Sequence, residues 1–169
     1  MRTLGPDGAR LAVRTARLGA ASKAGHDLLI EVQSWEGTLD TDEPSVWLKA
    51  DASSLHVLEG TGGIQKLGED DIENIEQTID DEVLKKQGIE FRSTSVEIDG
   101  DKWAVTGDLT LVGNTHPLTF DLTVEEDGKL SGRAVVKQTD WGMKPYTAFW
   151  GALKVADEVT VELEAAPES

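Results

Sequence analysis

The chain contains no cysteine among its 169 residues. Disulfide bonds, thiol catalysis and thiolate metal sites are therefore excluded. Histidine is scarce as well, because only His26, His56 and His116 are present. None of them stands at the His-x-His or His-x₃-His spacing that favours a shared metal ion. We therefore predict no metal site, no cofactor and no catalytic residue.

Positive charge and long apolar runs are also in short supply. The chain has 16 basic residues against 32 acidic ones, a net charge of −16. A field of this sign repels the phosphates of nucleic acid and the anionic face of a membrane. No run approaches the roughly 18 apolar residues of a membrane-spanning helix, and the N-terminus lacks the apolar segment of a secretory signal. We predict a cytoplasmic protein, although a mature secreted chain would begin in the same way.

Alternation of apolar and polar residues, the pattern of half-buried strands, recurs along most of the chain. The turn pairs Asp99-Gly100 and Asp127-Gly128 are strong hairpin signals between such stretches. Residues 59–63 read as a loop. The eight predicted strands cover residues 9–18, 26–34, 46–52, 89–98, 102–112, 118–125, 129–138 and 152–164.

The period changes between residues 69 and 87, where apolar side chains recur every three or four positions from Ile72 to Val83. This spacing predicts one helix or two short ones, with a break near Asp80 and Asp81 and a C-cap at Gly88. Residues 69–90 hold nine acidic and two basic side chains. They lack the ligand spacing of a calcium-binding loop, so we interpret the acidic side of the helix as a solvated face.

The order of these elements predicts a mainly β protein. No β-α-β rhythm is present, so an antiparallel meander is favoured over a parallel sheet. A meander of eight strands forms either a sandwich or a barrel, and barrel closure removes exposed edges. We predict a single domain spanning residues 1–169, an eight-stranded antiparallel barrel with the helical segment inserted around residues 69–87. Such a barrel is either filled by side chains or holds one small ligand.

A central segment resembles the core signature of YceI-like proteins. It reads Arg92-Ser-Thr-Ser-Val-Glu and then Val105-Thr-Gly-Asp-Leu-Thr-Leu-Val, followed by a Gly-x-Thr-x-Pro turn at Gly113, Thr115 and Pro117. Weaker matches lie at residues 36–39, 52–55 and 140–143, so the resemblance extends from about residue 25 to about residue 160. At residues 70–79 the acidic helix replaces the Arg-Asp-x-x-Leu helix of many members, which makes this a divergent member.

The resemblance implies a lipocalin-like barrel with a long apolar cavity that binds polyisoprenoid chains. Inward residues of the strands would line it, together with an aromatic cluster near the C-terminal end that includes Trp141, Tyr146 and Trp150. That cluster is either the mouth of the cavity or a plug of the barrel, and Lys144 and Tyr146 could meet a polar headgroup. The residues predicted to bind the ligand are Leu28, Ile30, Val32, Leu48, Phe91, Trp103, Val105, Leu109, Phe120, Leu122, Trp141, Tyr146 and Trp150.

Three functions are compatible with these observations. The leading one is binding, storage or transport of an isoprenoid or other long-chain lipid, with a homodimer as a further option. A second is a stress-related or protein-interaction domain with a filled barrel, whose acidic helix meets a basic partner. The third is an enzyme that uses His26 or His116, which ranks last because no catalytic constellation is visible.

Overall fold

The computed structural model describes residues 1–18, 27–61, 68–148 and 153–167, and this part of the chain is mainly β. Its strands are β1 (Arg2–Leu4), β2 (Ala9–Thr15), β3 (Arg17–Leu18), β4 (Asp27–Val32), β5 (Trp35–Asp40), β6 (Ser45–Ala50), β7 (Leu55–Thr61), β8 (Ile89–Asp99), β9 (Lys102–Leu111), β10 (Asn114–Val124), β11 (Leu130–Lys137), β12 (Thr147–Ala148), β13 (Leu153–Val155) and β14 (Glu158–Ala165). The α-helix α1 covers Glu69–Thr78, and short 3-10 turns cover Ala52–Ser54 and Gln138–Trp141.

Eleven of these strands form one curled antiparallel sheet in the order β1-β5-β6-β8-β9-β10-β11-β14-β2-β4-β7. The remaining three form a small sheet in the order β12-β13-β3. The mainly β, antiparallel class is therefore confirmed, and the predicted count of eight strands is wrong. Each predicted strand has a counterpart in the main sheet, but β1, β5 and β7 were missed. Residues 59–61, predicted as loop, are the end of β7, and residues 62–63 lie outside the described part of the chain.

One bent hairpin accounts for most of the difference in strand count. The chain turns a corner between β4 and β5, and again between β6 and β7. At this corner Gln33 N–H donates to the Ser54 carbonyl and Asp51 N–H to the Ser34 carbonyl, each at 3.0 Å. Because β5 and β6 belong to one end of the sheet and β4 and β7 to the other, this hairpin joins the two ends.

The helical segment begins and breaks close to the predicted positions. Asp71 caps α1 by accepting a hydrogen bond from Gly68 N–H at 3.0 Å. At Ile79 the α-helix gives way to a single π-helical turn, Ile79–Val83. The predicted C-cap at Gly88 is wrong, since the chain leaves the helix through Lys85 and Lys86, whose φ angles are +52° and +57°.

The core lies inside the curl of the sheet, where the inward faces of the strands meet. The predicted face of β9 is confirmed, because Trp103, Val105, Leu109 and Leu111 are all buried. Trp141, in the second 3-10 turn, is buried against this face, and its indole N–H donates to the Leu109 carbonyl at 2.7 Å. Strand β9 therefore contributes four buried side chains to the core and forms one wall of the interior.

Candidate functional site

A cavity of about 500 Å³ lies inside the curled sheet, and its lining is predominantly apolar. This volume falls within the roughly 300–1,000 Å³ that is usual for small-molecule sites. Strands from both halves of the sheet contribute to it because the sheet curls around it. The lining includes inward residues of β2, β11 and β14 that the sequence analysis did not single out, among them Leu11, Val13, Val136, Val159, Val161 and Leu163.

Most residues predicted to bind the ligand do line this cavity. They are Leu28, Ile30, Val32, Leu48, Phe91, Leu109, Phe120, Leu122 and Tyr146. Strand alternation brings them together, because every second side chain of an inward-facing strand points to the same interior. Within the lining, Phe91 and Phe120 pack against each other with ring centroids 5.2 Å apart.

The remaining predicted residues occupy other places. Trp103 and Val105 share the inward face of β9, but they are enclosed in the core and do not line the cavity. Trp141 is buried outside the lining, where its ring meets that of His116 edge-on at 5.9 Å. Trp150 lies outside the described residues, as does His26. Alternation along a strand shows which way a side chain faces. It does not show whether the interior beside that side chain is filled by other side chains or left open.

The helical segment forms part of the cavity wall, a role that the sequence analysis missed. Most of its acidic side chains are exposed as expected, whereas its apolar stripe turns toward the sheet. The signal was present in the sequence, since Ile75, Ile79 and Val83 are the helical repeat itself. The residues of this segment and of the turn after it that line the cavity are Asn74, Ile75, Thr78, Ile79, Val83 and Leu84.

Glu76 attaches α1 to the edge strand β7. Its carboxylate accepts a hydrogen bond from Val57 N–H at 2.9 Å and lies 2.6 Å from Nδ1 of His56. Edge strands leave backbone N–H groups unpaired, and here a side chain of the helix satisfies one of them. His56 thus serves a docking contact between helix and sheet.

Charge is distributed unevenly between the surface and the cavity. Although acidic residues outnumber basic ones two to one, the charged residues in the described lining are Arg17 and Arg133, and it contains no carboxylate. The side chain of Arg133 is exposed, whereas Arg17 is half-buried with its Nε 4.0 Å from Asp27 Oδ1. The acidity predicted to describe an outer surface is therefore kept away from the cavity.

Three polar residues of the lining lie where the small sheet meets the large one. Gln138, which is 5% exposed, donates from Nε2 to the Ala156 carbonyl at 3.1 Å. Val155 N–H donates to the Tyr146 carbonyl at 3.0 Å, and Val155 is also paired with Arg17. Gln138, Tyr146 and Arg17 therefore all adjoin the segment Val155–Ala156, and we call them the polar end of the cavity.

A side-chain contact anchors this end of the molecule. Asp157 accepts hydrogen bonds from the backbone N–H and the hydroxyl of Thr139, within the turn that begins at Gln138. The hydroxyl bond lowers the pKa of Asp157, and the backbone bond acts in the same direction. Lys144, expected to meet a headgroup, is exposed and does not line the cavity.

Within the described ranges, no three His, Asp or Glu side chains lie close enough together to hold a metal ion. None of the helices in that part of the chain is both long enough and apolar enough to cross a membrane. His56 contacts Glu76, and the ring of His116 meets that of Trp141 edge-on, so the described histidines are not brought together.

The chain shares sequence with a known protein family and with curated proteins. The model of the YceI-like domain matches residues 21–166. Two Pseudomonas putida strains each have a curated UPF0312 protein that is 51% identical over 49 residues. These local matches cover 28% of this chain and 26% of each relative, about a quarter of its length.

Solved structures share the fold at low sequence identity. Burkholderia cenocepacia BcnA is 17% identical and superposes with a TM-score of 0.65, covering 92% of this chain and 94% of BcnA. The Campylobacter jejuni YCEI protein is 18% identical, with a TM-score of 0.56 and coverage of 83% of this chain and 84% of that protein. At such identities the likeness shows the fold alone.

Proposed function

The chain belongs to the YceI-like family, and from this membership together with the apolar cavity we propose that it binds, stores or carries a long-chain lipid of the isoprenoid type. The observation that carries the proposal is the 500 Å³ cavity lined by apolar side chains from both halves of the sheet. Each methylene group that leaves water for such a lining contributes roughly 0.8 kcal/mol, so affinity grows with chain length.

The cavity also favours this function over the alternatives. A protein-interaction domain with a filled barrel needs no interior space, and its acidic surface would carry the function. A histidine enzyme needs its base beside the substrate, and of the histidines that the structure describes, neither His56 nor His116 lines the cavity. The proposal therefore assigns no catalytic residue. A cytoplasmic location and a homodimer stay predictions of the sequence.

Extraction of the purified protein with organic solvent, followed by mass spectrometry, tests the proposal. The expected result is a long-chain lipid at about one molecule per chain, matched by a bound mass in native mass spectrometry. Protein stripped of lipid should take up farnesol, a C15 isoprenoid alcohol, from solution. A protein that yields no lipid and binds no farnesol would contradict the proposal and favour an interaction domain.

A further inference from the structure

We propose that Phe91 and Phe120 together close one end of the cavity and limit the chain that it buries to about 15–20 carbon atoms. We call this pair the aromatic floor. The inference rests on the proposed function, since it concerns the length of the same ligand. It goes further by naming the side chains that set this length.

Inward side chains of β9 show where the open space ends. Leu109 and Leu111 line the cavity. Trp103 and Val105, which precede them on the same face, are 3% and 0% exposed and do not line it. Gly107 is the inward position between these two pairs. One half of this face therefore borders open space and the other half borders packed side chains, with the boundary at Gly107.

The aromatic floor lies at this boundary. Phe91 of β8 is paired with Leu109, and Phe120 of β10 is paired with Val105. Because Gly107 has no side chain, the two rings reach each other across β9, with centroids 5.2 Å apart. A Cβ atom at Gly107 would lie 2.6 Å from Cζ of Phe91, too close for two carbon atoms. Both phenylalanines line the cavity, so their rings form its boundary.

Side chains fill the interior beyond the aromatic floor. Leu122 of β10 is the partner of Trp103, and the next inward residue of β10, Val124, pairs with Leu130 of β11. Leu130 is 1% exposed, and neither it nor Val124 lines the cavity. Close-packed protein interiors leave few voids larger than a water molecule, so a ligand chain does not extend past this point.

The volume of the cavity indicates the length of chain that fits. A methylene group is about as large as a water molecule, whose share of liquid volume is about 30 Å³. A cavity of about 500 Å³ therefore holds roughly 15–20 carbon atoms, or about three to four isoprene units. The ring of Phe120 is close in size to one isoprene unit. Replacing Phe120 with alanine should therefore make room for one more unit.

The test compares farnesol with geranylgeraniol, a C20 alcohol with the same headgroup and one more isoprene unit. Their dissociation constants are measured by calorimetry with the wild type, Phe120→Ala and Tyr146→Ala. Tyr146→Ala is the matched control, because it removes an aromatic ring from the lining at the polar end of the cavity. The ratio of the farnesol constant to the geranylgeraniol constant is compared between proteins, so differences in the solubility of the probes cancel.

We expect this ratio to rise at least tenfold in Phe120→Ala, because the additional isoprene unit then leaves water for the freed space. It should stay unchanged in Tyr146→Ala, since the two probes share one headgroup. Phe120→Leu frees less space and should give a smaller rise, and it provides a second variant if the alanine variant does not fold.

An unchanged ratio in a folded Phe120 variant would overturn the inference while leaving the proposed function standing. An equal rise in Tyr146→Ala would also overturn it, because added space anywhere in the lining would then suffice. Failure of the wild type to bind either alcohol would overturn both the inference and the proposed function.

Discussion

The carboxylate of Glu76 lies 2.6 Å from Nδ1 of His56, and the same oxygen accepts a hydrogen bond from the next backbone N–H, that of Val57. This relationship holds α1 against β7. The helical segment forms part of the cavity wall. The contact between Glu76 and β7 therefore helps to hold this part of the wall in place. The helix itself contains no fully buried residue, so its other anchors are half-buried apolar contacts.

Replacing Glu76 with alanine should loosen the helix from the sheet. The variant loses the hydrogen bond from Val57 N–H and the contact with His56, together worth about 1–2 kcal/mol at a partly exposed site. The amide of Val57 should then exchange with deuterium roughly 5–30 times faster. Glu73→Ala is the matched control, because Glu73 is exposed on the same helix and alanine changes helix propensity equally. Equal exchange rates in the two variants would show that Glu76 does not anchor the helix.

Adjacent residues of β11 allow a paired test of the cavity. Ala134 lines it, whereas Val135 faces outward and is 51% exposed. The variant Ala134→Phe should fill the cavity and weaken farnesol binding at least tenfold, which corresponds to about 1.4 kcal/mol. The variant Val135→Phe should bind farnesol about as tightly as the wild type. Titration calorimetry on both variants checks this, and comparable affinities would place the ligand elsewhere.

Two tryptophans donate hydrogen bonds in contrasting surroundings. The buried Trp141 donates to the Leu109 carbonyl at 2.7 Å, whereas the half-buried Trp47 donates to the Glu90 carboxylate at 3.1 Å. Trp141→Phe removes a buried hydrogen bond together with part of a large buried ring, and it should lower the free energy of unfolding by about 1–3 kcal/mol. Trp47→Phe, whose acceptor can turn to water, should cost less than about 1 kcal/mol. Urea denaturation measures both losses, and equal values would refute this account.

The contact between Asp157 and Thr139 should make the stability of the protein depend on pH. Because the hydrogen bonds from Thr139 lower the pKa of Asp157 in the folded state, the pair stabilises the protein above the unfolded pKa of about 4. That stability is lost as the pH falls through the lower folded pKa. Asp157→Asn should therefore lower Tm at pH 7 by a few degrees at most, given the pair's nearness to solvent, and the difference from the wild type should vanish at pH values well below the folded pKa.

Asp140→Asn is the control for this experiment, since Asp140 is an exposed carboxylate in the same turn. Thermal melts of the wild type, Asp157→Asn and Asp140→Asn between pH 7 and pH 2.5 compare the contributions of the two carboxylates to Tm. A Tm difference for Asp157→Asn that persists at the acid limit would mean that the substitution acts through packing and not through the charge.

The sequence was most informative where alternation was long. In β10, Leu118, Phe120 and Leu122 were assigned to one face, and all three line the cavity. Strand β5 is as long as the predicted β4 and β6, but Gly37 occupies the middle of its inward face and weakens the apolar alternation. Its motif was therefore recognised only as part of the family resemblance. Strand β7 was missed because the glycine-rich stretch after it resembles a loop.

Other features depended on distance in space. Gln138 and Ala156 are 18 positions apart, and their hydrogen bond forms only because the turn after β11 packs against the segment between β13 and β14. Trp103 and Leu109 share one face of one strand, yet only Leu109 reaches the cavity. The difference comes from how the neighbouring side chains fill each level of the interior.

By itself the sequence determined the mainly β antiparallel class, the position of the helical segment, the family and the inward faces of the long strands. Each of these follows from periodicity or from a local motif, which short stretches of chain carry without reference to the rest. Only the tertiary structure decided that a bent hairpin joins the two ends of the sheet, that the acidic helix turns its apolar stripe to the cavity, and that Gln138 donates to the Ala156 carbonyl. Those depend on contacts between segments far apart in the chain, where packing geometry and not local pattern selects the partner.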